Sequence, residues 1–179
     1  MTAYDTAFDF THGEEVGQQG GDGLVDDPSD RGGITKHGIS LAFAGSIHLD
    51  INRDGVTDAA DIKALTDTEA KELFKLHFWD KCRCDALPVW LALMAFDIAV
   101  NQGPGAAAVL MQRALGARPD GVIGTRTIAA AKSAIPSDVL IDLQARRAKR
   151  YASAPTFETH GNGWLRRNGR CLIAAMDLI

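Results

Sequence analysis

The chain has 179 residues, enough to bury one core or one core with a small lobe. Hydrophobic residues make up 46% and charged residues 23%, an ordinary globular composition, and no apolar run reaches the roughly 18 residues of a membrane span. A net charge of -4 and a pI near 5.7 argue against a protein that holds nucleic acid by neutralising phosphates.

Residues 2–13 are predicted as a short amphipathic helix with Tyr4, Ala7 and Phe8 at helical spacing, ended by Glu14 and Glu15. Residues 1–10 hold two aspartates and no basic side chain, so they do not read as a signal peptide. The expected setting is the cytosol, or exit by a route that reads no N-terminal signal. Residues 16–33 are rich in Gly, Asp and Gln and contain Pro28, which predicts turns. Residues 34–39 fit a short edge strand and residues 41–49 a helix. Thr66-Asp-Thr-Glu69 is a capping box that opens a helix over 70–79. Cys82, Cys84 and Cys171 are odd in number, and Cys82-Arg-Cys84 is too tight for a zinc knuckle, so free thiols are expected. Pro88 opens an almost wholly apolar, hence buried, helix over 89–100, ended by Gly103-Pro-Gly105. Helices follow over 106–115 and 125–135, with a turn at 120–124 between them. Ser137 begins another, with Val139, Leu140 and Leu143 on one face; Arg146, Arg147, Lys149 and Arg150 read as its solvated basic end. Residues 161–163 read as a turn, and 164–176 as a last helix broken near Gly169. The fold class is mainly α with a small β element. Trp90 sits among apolar residues and reads as core, while Trp79 and Trp164 are candidates for stacking on a sugar ring.

The segment Asp50-Ile-Asn-Arg-Asp-Gly-Val-Thr-Asp-Ala-Ala-Asp61 follows the pattern of an EF-hand-like calcium loop. It places Asp50, Asn52, Asp54, Asp58 and Asp61 at positions 1, 3, 5, 9 and 12, Gly55 at the turning position 6, and the Val56 carbonyl at 7. One loop without a paired second favours a structural Ca2+ over a sensor. Asp61 reaches an ion less easily in bidentate fashion than a glutamate at position 12.

Glu14 and Glu15 precede a glycine-rich loop that carries Asp26, Asp27 and Asp30, then Gly32-Gly33-Ile34-Thr35. An acid at a helix end, with an acid and a hydroxyl across a loop, suits glycoside hydrolysis. One group protonates the leaving oxygen, and another holds water or offsets positive charge. A solvated acidic loop is the plainer reading of the same residues. However, Asp26-Asp-Pro-Ser-Asp-Arg-Gly-Gly-Ile-Thr-Lys-His-Gly-Ile39 resembles the signature loop of glycoside hydrolase family 108, the muramidases of phage endolysins and secretion-associated lysins. Trp79, Leu87-Pro88, Phe96-Asp97 and Asn101-Gln-Gly103 resemble the family's middle. Gln112, Leu115, Asp120-Gly121, Gly124 and Thr127 resemble the peptidoglycan-binding region usually paired with it, and Asn162-Gly-Trp164-Leu-Arg166 its closing segment. One departure stands out. The family glutamate is followed by two glycines and an aromatic, whereas Glu15 is followed by Val16-Gly17 and an insertion within residues 18–23.

The resemblance implies a lysozyme-like fold, with a muramidase region over 1–100 and a helical peptidoglycan-binding lobe over 101–179, packed as one unit. It implies cleavage of the MurNAc–GlcNAc bond, with Glu15 as general acid and Glu14 as the alternative. Asp30 would steady the oxocarbenium-like state, or orient the water that Thr35 holds. Gly32 and Gly33 would let backbone approach the sugar. His37 either lines the cleft or is a plain surface histidine; Asn101 and Gln102 either face the cleft or cap their helix. The partner would be bacterial peptidoglycan, with no nucleic acid, and the chain a monomer. A phage endolysin, in the host cytoplasm until released to the wall, is the first expectation. A secretion-associated muramidase and a non-catalytic, calcium-dependent wall-binding module are the alternatives.

Overall fold

A computed structural model describes residues 1–16, 23–26 and 32–179. Asp27, Pro28 and Asp30 lie outside the described residues. The described chain is mainly helical with one small sheet, as the sequence predicts. It divides into two compact units, Thr11–Phe74 and the pair Met1–Phe10 with Lys75–Ile179.

In the unit Thr11–Phe74, the end of helix α1 (Ala3–Val16) is followed by strands β1 (Thr35–Lys36) and β2 (Ile39–Ser40). They pair antiparallel, Thr35 with Ser40 and Lys36 with Ile39. The connecting residues His37 and Gly38 both have positive φ, 50° and 78°. That is the requirement of a type I′ turn, whose twist matches the strands it joins. Val25 adds one bridge to Thr35. Helices α2 (Leu41–Ser46), α3 (Ala59–Ala64) and α4 (Asp67–Phe74) complete the unit. Its core is Ile34, Ile39, Ala44, Ile62, Leu65, Ala70 and Phe74. The Thr66 amide donates to Glu69 Oε2 at 2.9 Å and the Glu69 amide to Thr66 Oγ1 at 3.2 Å, which is the capping box read from the sequence.

In the other unit, a π-helical turn (Lys75–Trp79) leads through a 3-10 turn (Cys84–Ala86) to α5 (Val89–Gln102). Every residue from Trp90 to Ala99 is buried. Helices α6 (Pro104–Ala114), α8 (Pro136–Ala152) and α9 (Phe157–Met176) pack on α5, and α7 (Thr125–Ser133) precedes α8. Tyr4, Trp79 and Phe96 meet edge to face at centroid distances of 5.2 to 5.8 Å. Trp79 is therefore core and not a sugar platform; its indole N–H donates to Asp85 Oδ1 at 2.8 Å. Gln112, fully buried, pins the turn after α6. Its amide nitrogen donates to Asp120 Oδ1, the Val122 carbonyl and Thr127 Oγ1, and its oxygen accepts from the Gly121 amide.

Two expectations are corrected. Residues 161–163 do not form a turn, and nothing breaks near Gly169, because α9 runs unbroken from Phe157 to Met176. Gly161 is buried, and a Cβ there would lie 2.6 Å from the Phe157 ring, so the glycine makes room for a ring one turn back. Nor is the end of α8 uniformly solvated. Arg147 is fully buried while Lys149 and Arg150 are exposed.

Candidate active site

Glu14 and Glu15 are half-buried in the last turn of α1. The Glu15 stem lies on the hairpin turn. A Cβ added to Gly38 would stand 3.1 Å from Glu15 Cβ and 3.2 Å from Phe74 Cζ. Gly38 is thus required twice, for its positive φ and for its closeness to Glu15 and Phe74. Thr35 is on β1, and its hydroxyl donates to the Gly33 carbonyl at 3.1 Å. The Gly32 carbonyl accepts from the Ala42 amide at 3.0 Å, and Gly33 takes a φ of 69°. Glu15, Thr35, Gly32, Gly33 and His37 therefore fall within one compact unit.

His37 is not a plain surface histidine; its side chain is 12% exposed. Its Nδ1 lies 3.7 Å from Asp67 Oδ1, and His12 Nε2 lies 3.9 Å from the same oxygen. The two rings stack at 6.1 Å with an interplanar angle of 26°. Reading by sequence neighbourhood missed this cluster, since His12, His37 and Asp67 come from three elements. One signal was available: His12 and Glu15 are three apart on a helix and share a face.

Asn101 and Gln102 lie in the last turn of α5, in the other unit. There they line a pocket of about 370 Å³ with Arg150, Tyr151 and Trp164. Trp164 stacks on Tyr151 at 5.3 Å and 25°. The Tyr151 hydroxyl donates to Asn101 Oδ1 at 2.6 Å and accepts from Arg147 Nε at 3.0 Å. Behind it, Arg147 Nη2 stands 2.6 Å from Asp97 Oδ2 and Arg167 Nη2 donates to Asp97 Oδ1 at 2.7 Å. Burial pushes the Asp97 carboxyl up, but the two guanidiniums outweigh it and hold the group below its ordinary range. Arg150 also borders two neighbouring hollows with Arg113, one of which adds Arg146 and Lys149. The sequence singles out Trp164 but gives no sign that it shares a wall with Arg150.

In the loop 50–61, Asp50 accepts from the Asp54 and Gly55 amides at 3.1 and 3.0 Å, and Asn52 Oδ1 from the Asp54 amide at 3.0 Å. Asp54 accepts from Val56, while Asp58 caps α3 and accepts from the Ala60 amide. Asp61 is buried and accepts from the amides of Ile51, Asn52 and Asp58. The Asp58 amide above all, with those of Asn52 and Ile51, holds its carboxyl low against burial. The loop is thus a turn held by its own side-chain-to-amide hydrogen bonds, with Gly55 at a φ of 87°. Asp61 anchors that turn from within.

Residues 13–103 match the family Glycosyl hydrolase 108. The fold is similar to that of SagA from Brucella abortus, with a TM-score of 0.84 and 31% sequence identity over 98% of this chain and 94% of that one. No curated protein matches the chain. The chain belongs to glycosyl hydrolase family 108 and is a glycoside hydrolase that acts on peptidoglycan.

Proposed function

We propose that the enzyme cleaves the MurNAc–GlcNAc bond with Glu15 as its general acid. The observation that carries this is the Glu15 stem seated on the Gly38 turn, in the same unit as Thr35. Glu15 gives its proton to the glycosidic oxygen as the bond to the anomeric carbon breaks. The Thr35 hydroxyl has its proton committed to Gly33, so its lone pairs accept from a water and orient it. Asp30 offsets the positive charge that develops on the sugar.

Glu15→Gln should lower muropeptide release by about 100-fold or more with an unchanged thermal midpoint, followed by mass spectrometry of digested peptidoglycan. Glu14→Gln should retain most activity; the reverse pattern transfers the role to Glu14.

The C-terminal helices hold the glycan in this reading, with Trp164 against a sugar face and Arg113, Lys149 and Arg150 toward stem-peptide carboxylates. Trp164→Ala should then reduce retention on purified peptidoglycan. Calcium, held by Asp50, Asn52, Asp54, the Val56 carbonyl, Asp58 and Asp61, would brace the loop and take no part in cleavage. We assign the enzyme the lytic role of a phage endolysin. Cells expressing it in the cytoplasm should lyse only once the inner membrane is opened.

A further inference from the structure

We propose that His12, His37 and Asp67 form a site for a divalent transition-metal ion of the zinc class, apart from the calcium loop. The three donors come from the last turns of α1, the hairpin turn and the first turn of α4. Their donor atoms all lie within 4.8 Å of one another. The geometry is wrong for hydrogen bonding: Asp67 Oδ1 stands 3.7 and 3.9 Å from the two imidazole nitrogens, beyond the roughly 3.2 Å limit for N–H···O. It is close to what coordination needs. Tetrahedral zinc with bonds of about 2.0 to 2.1 Å sets its ligand atoms about 3.3 Å apart. The two Asp67 distances have to shorten by about half an ångström, and the imidazole nitrogens, within 4.8 Å of each other, by up to about 1.5 Å, on an ion at the centre.

The two imidazoles are held by the fold. His37 is locked in a two-residue turn at a φ of 50°, and its side chain is 12% exposed; that of His12 is 20% exposed. Asp67 is the adjustable member, with 63% of its side chain exposed, and it opens the site to solvent. Two nitrogen donors and one carboxylate favour zinc over calcium or magnesium, which take oxygen. The three protein ligands leave a fourth position for water. His12 is also close to one helical turn before Glu15. An ion on His37, next to the Gly38 turn on which the Glu15 stem sits, should hinder the glycan there, so zinc should slow glycan cleavage. This last consequence rests on Glu15 being the general acid.

The test is equilibrium dialysis of the whole chain against Zn2+ with calcium present in excess, and Co2+ absorption as a geometric probe. The expected result is one bound Zn2+ and visible Co2+ bands of a four-coordinate site. His37→Ala and the exposed Asp67→Asn should each weaken zinc by about tenfold or more, with circular dichroism unchanged. No bound zinc overturns the proposal. So does affinity that survives both substitutions and is lost in Cys82→Ser/Cys84→Ser, which would place the ion on the thiols. If zinc binds as described but slows the wild type and His37→Ala equally, the inhibition is overturned and the site stands.

Discussion

Asp97 shows what a single residue can demand of a fold. Its carboxylate is fully buried, and such a charge persists only when partners surround it. Arg147 and Arg167 supply them from α8 and α9, the latter 70 residues away in sequence. Arg147→Met keeps the stem packed but strips half of that pairing, so stability should fall by about 3 to 5 kcal/mol in urea unfolding. Replacing Asp97, Arg147 and Arg167 together with apolar residues should cost far less. The sequence held part of this. Val139, Leu140, Leu143, Arg147 and Tyr151 are all buried at helical spacing, so phase alone puts Arg147 inside. Grouping it by charge with Lys149 and Arg150 concealed that. The partner at Arg167 is a tertiary fact, which no local pattern carries. The same holds for His12, His37 and Asp67, each unremarkable in its own segment.

At the scale of elements, local chemistry was more legible. The Thr66–Glu69 box, Pro88 before α5 and the hydrophobic run of α5 each dictate local structure, and each is where the sequence puts it. α9 differs because a glycine's reason lies in its neighbour. Gly161→Ala gains helix propensity of about 1 kcal/mol but drives a methyl into the Phe157 ring, so a net loss of about 1 to 2 kcal/mol is expected. Gly163→Ala meets nothing within 4 Å and should stabilise α9 by up to about 1 kcal/mol. Adding Phe157→Leu to Gly161→Ala should recover much of the loss; a double variant no better than the single would remove the steric account. The loop 50–61 makes the complementary case, since its residue pattern is local and legible in the sequence. Calcium at about 100 times its dissociation constant should stabilise by about 2.7 kcal/mol, and Asp50→Ala should abolish that gain. A thermal midpoint indifferent to both calcium and chelator would show the turn to be held by its own hydrogen bonds.

For the molecule as a whole, the chain passes between its two units inside regular structure: at Phe10–Thr11 in α1, and at Phe74–Lys75 where α4 enters the π-helical turn. No proline- or glycine-rich linker marks those points, so composition cannot reveal them. Ionisation does span the whole chain, and it predicts a bell-shaped dependence of stability on pH. On the acid side, Asp97, Asp61, Asp120 and Glu69 all titrate below their ordinary values in the fold. The unfolded chain therefore takes up protons first as pH falls, and the stability these groups supply above about pH 4 is lost through their lower folded values. On the alkaline side, burial pushes the Cys84 and Cys171 thiols and the Tyr4 hydroxyl up. Unfolded thiols ionise from about pH 8.5 while the folded ones keep their protons, so stability declines as pH rises past that point. Urea midpoints should be highest between about pH 6.5 and pH 8 and fall on both sides, with the His77 imidazole, held low by burial and by Lys81, adding to the acid limb. Cys171→Ala should shallow the alkaline limb and leave the acid limb unchanged, because only the first depends on keeping a thiol neutral in the core. An alkaline limb of the same slope in that variant would assign the loss to the other groups raised in the fold, Cys84, Tyr4, Tyr151 and Lys75.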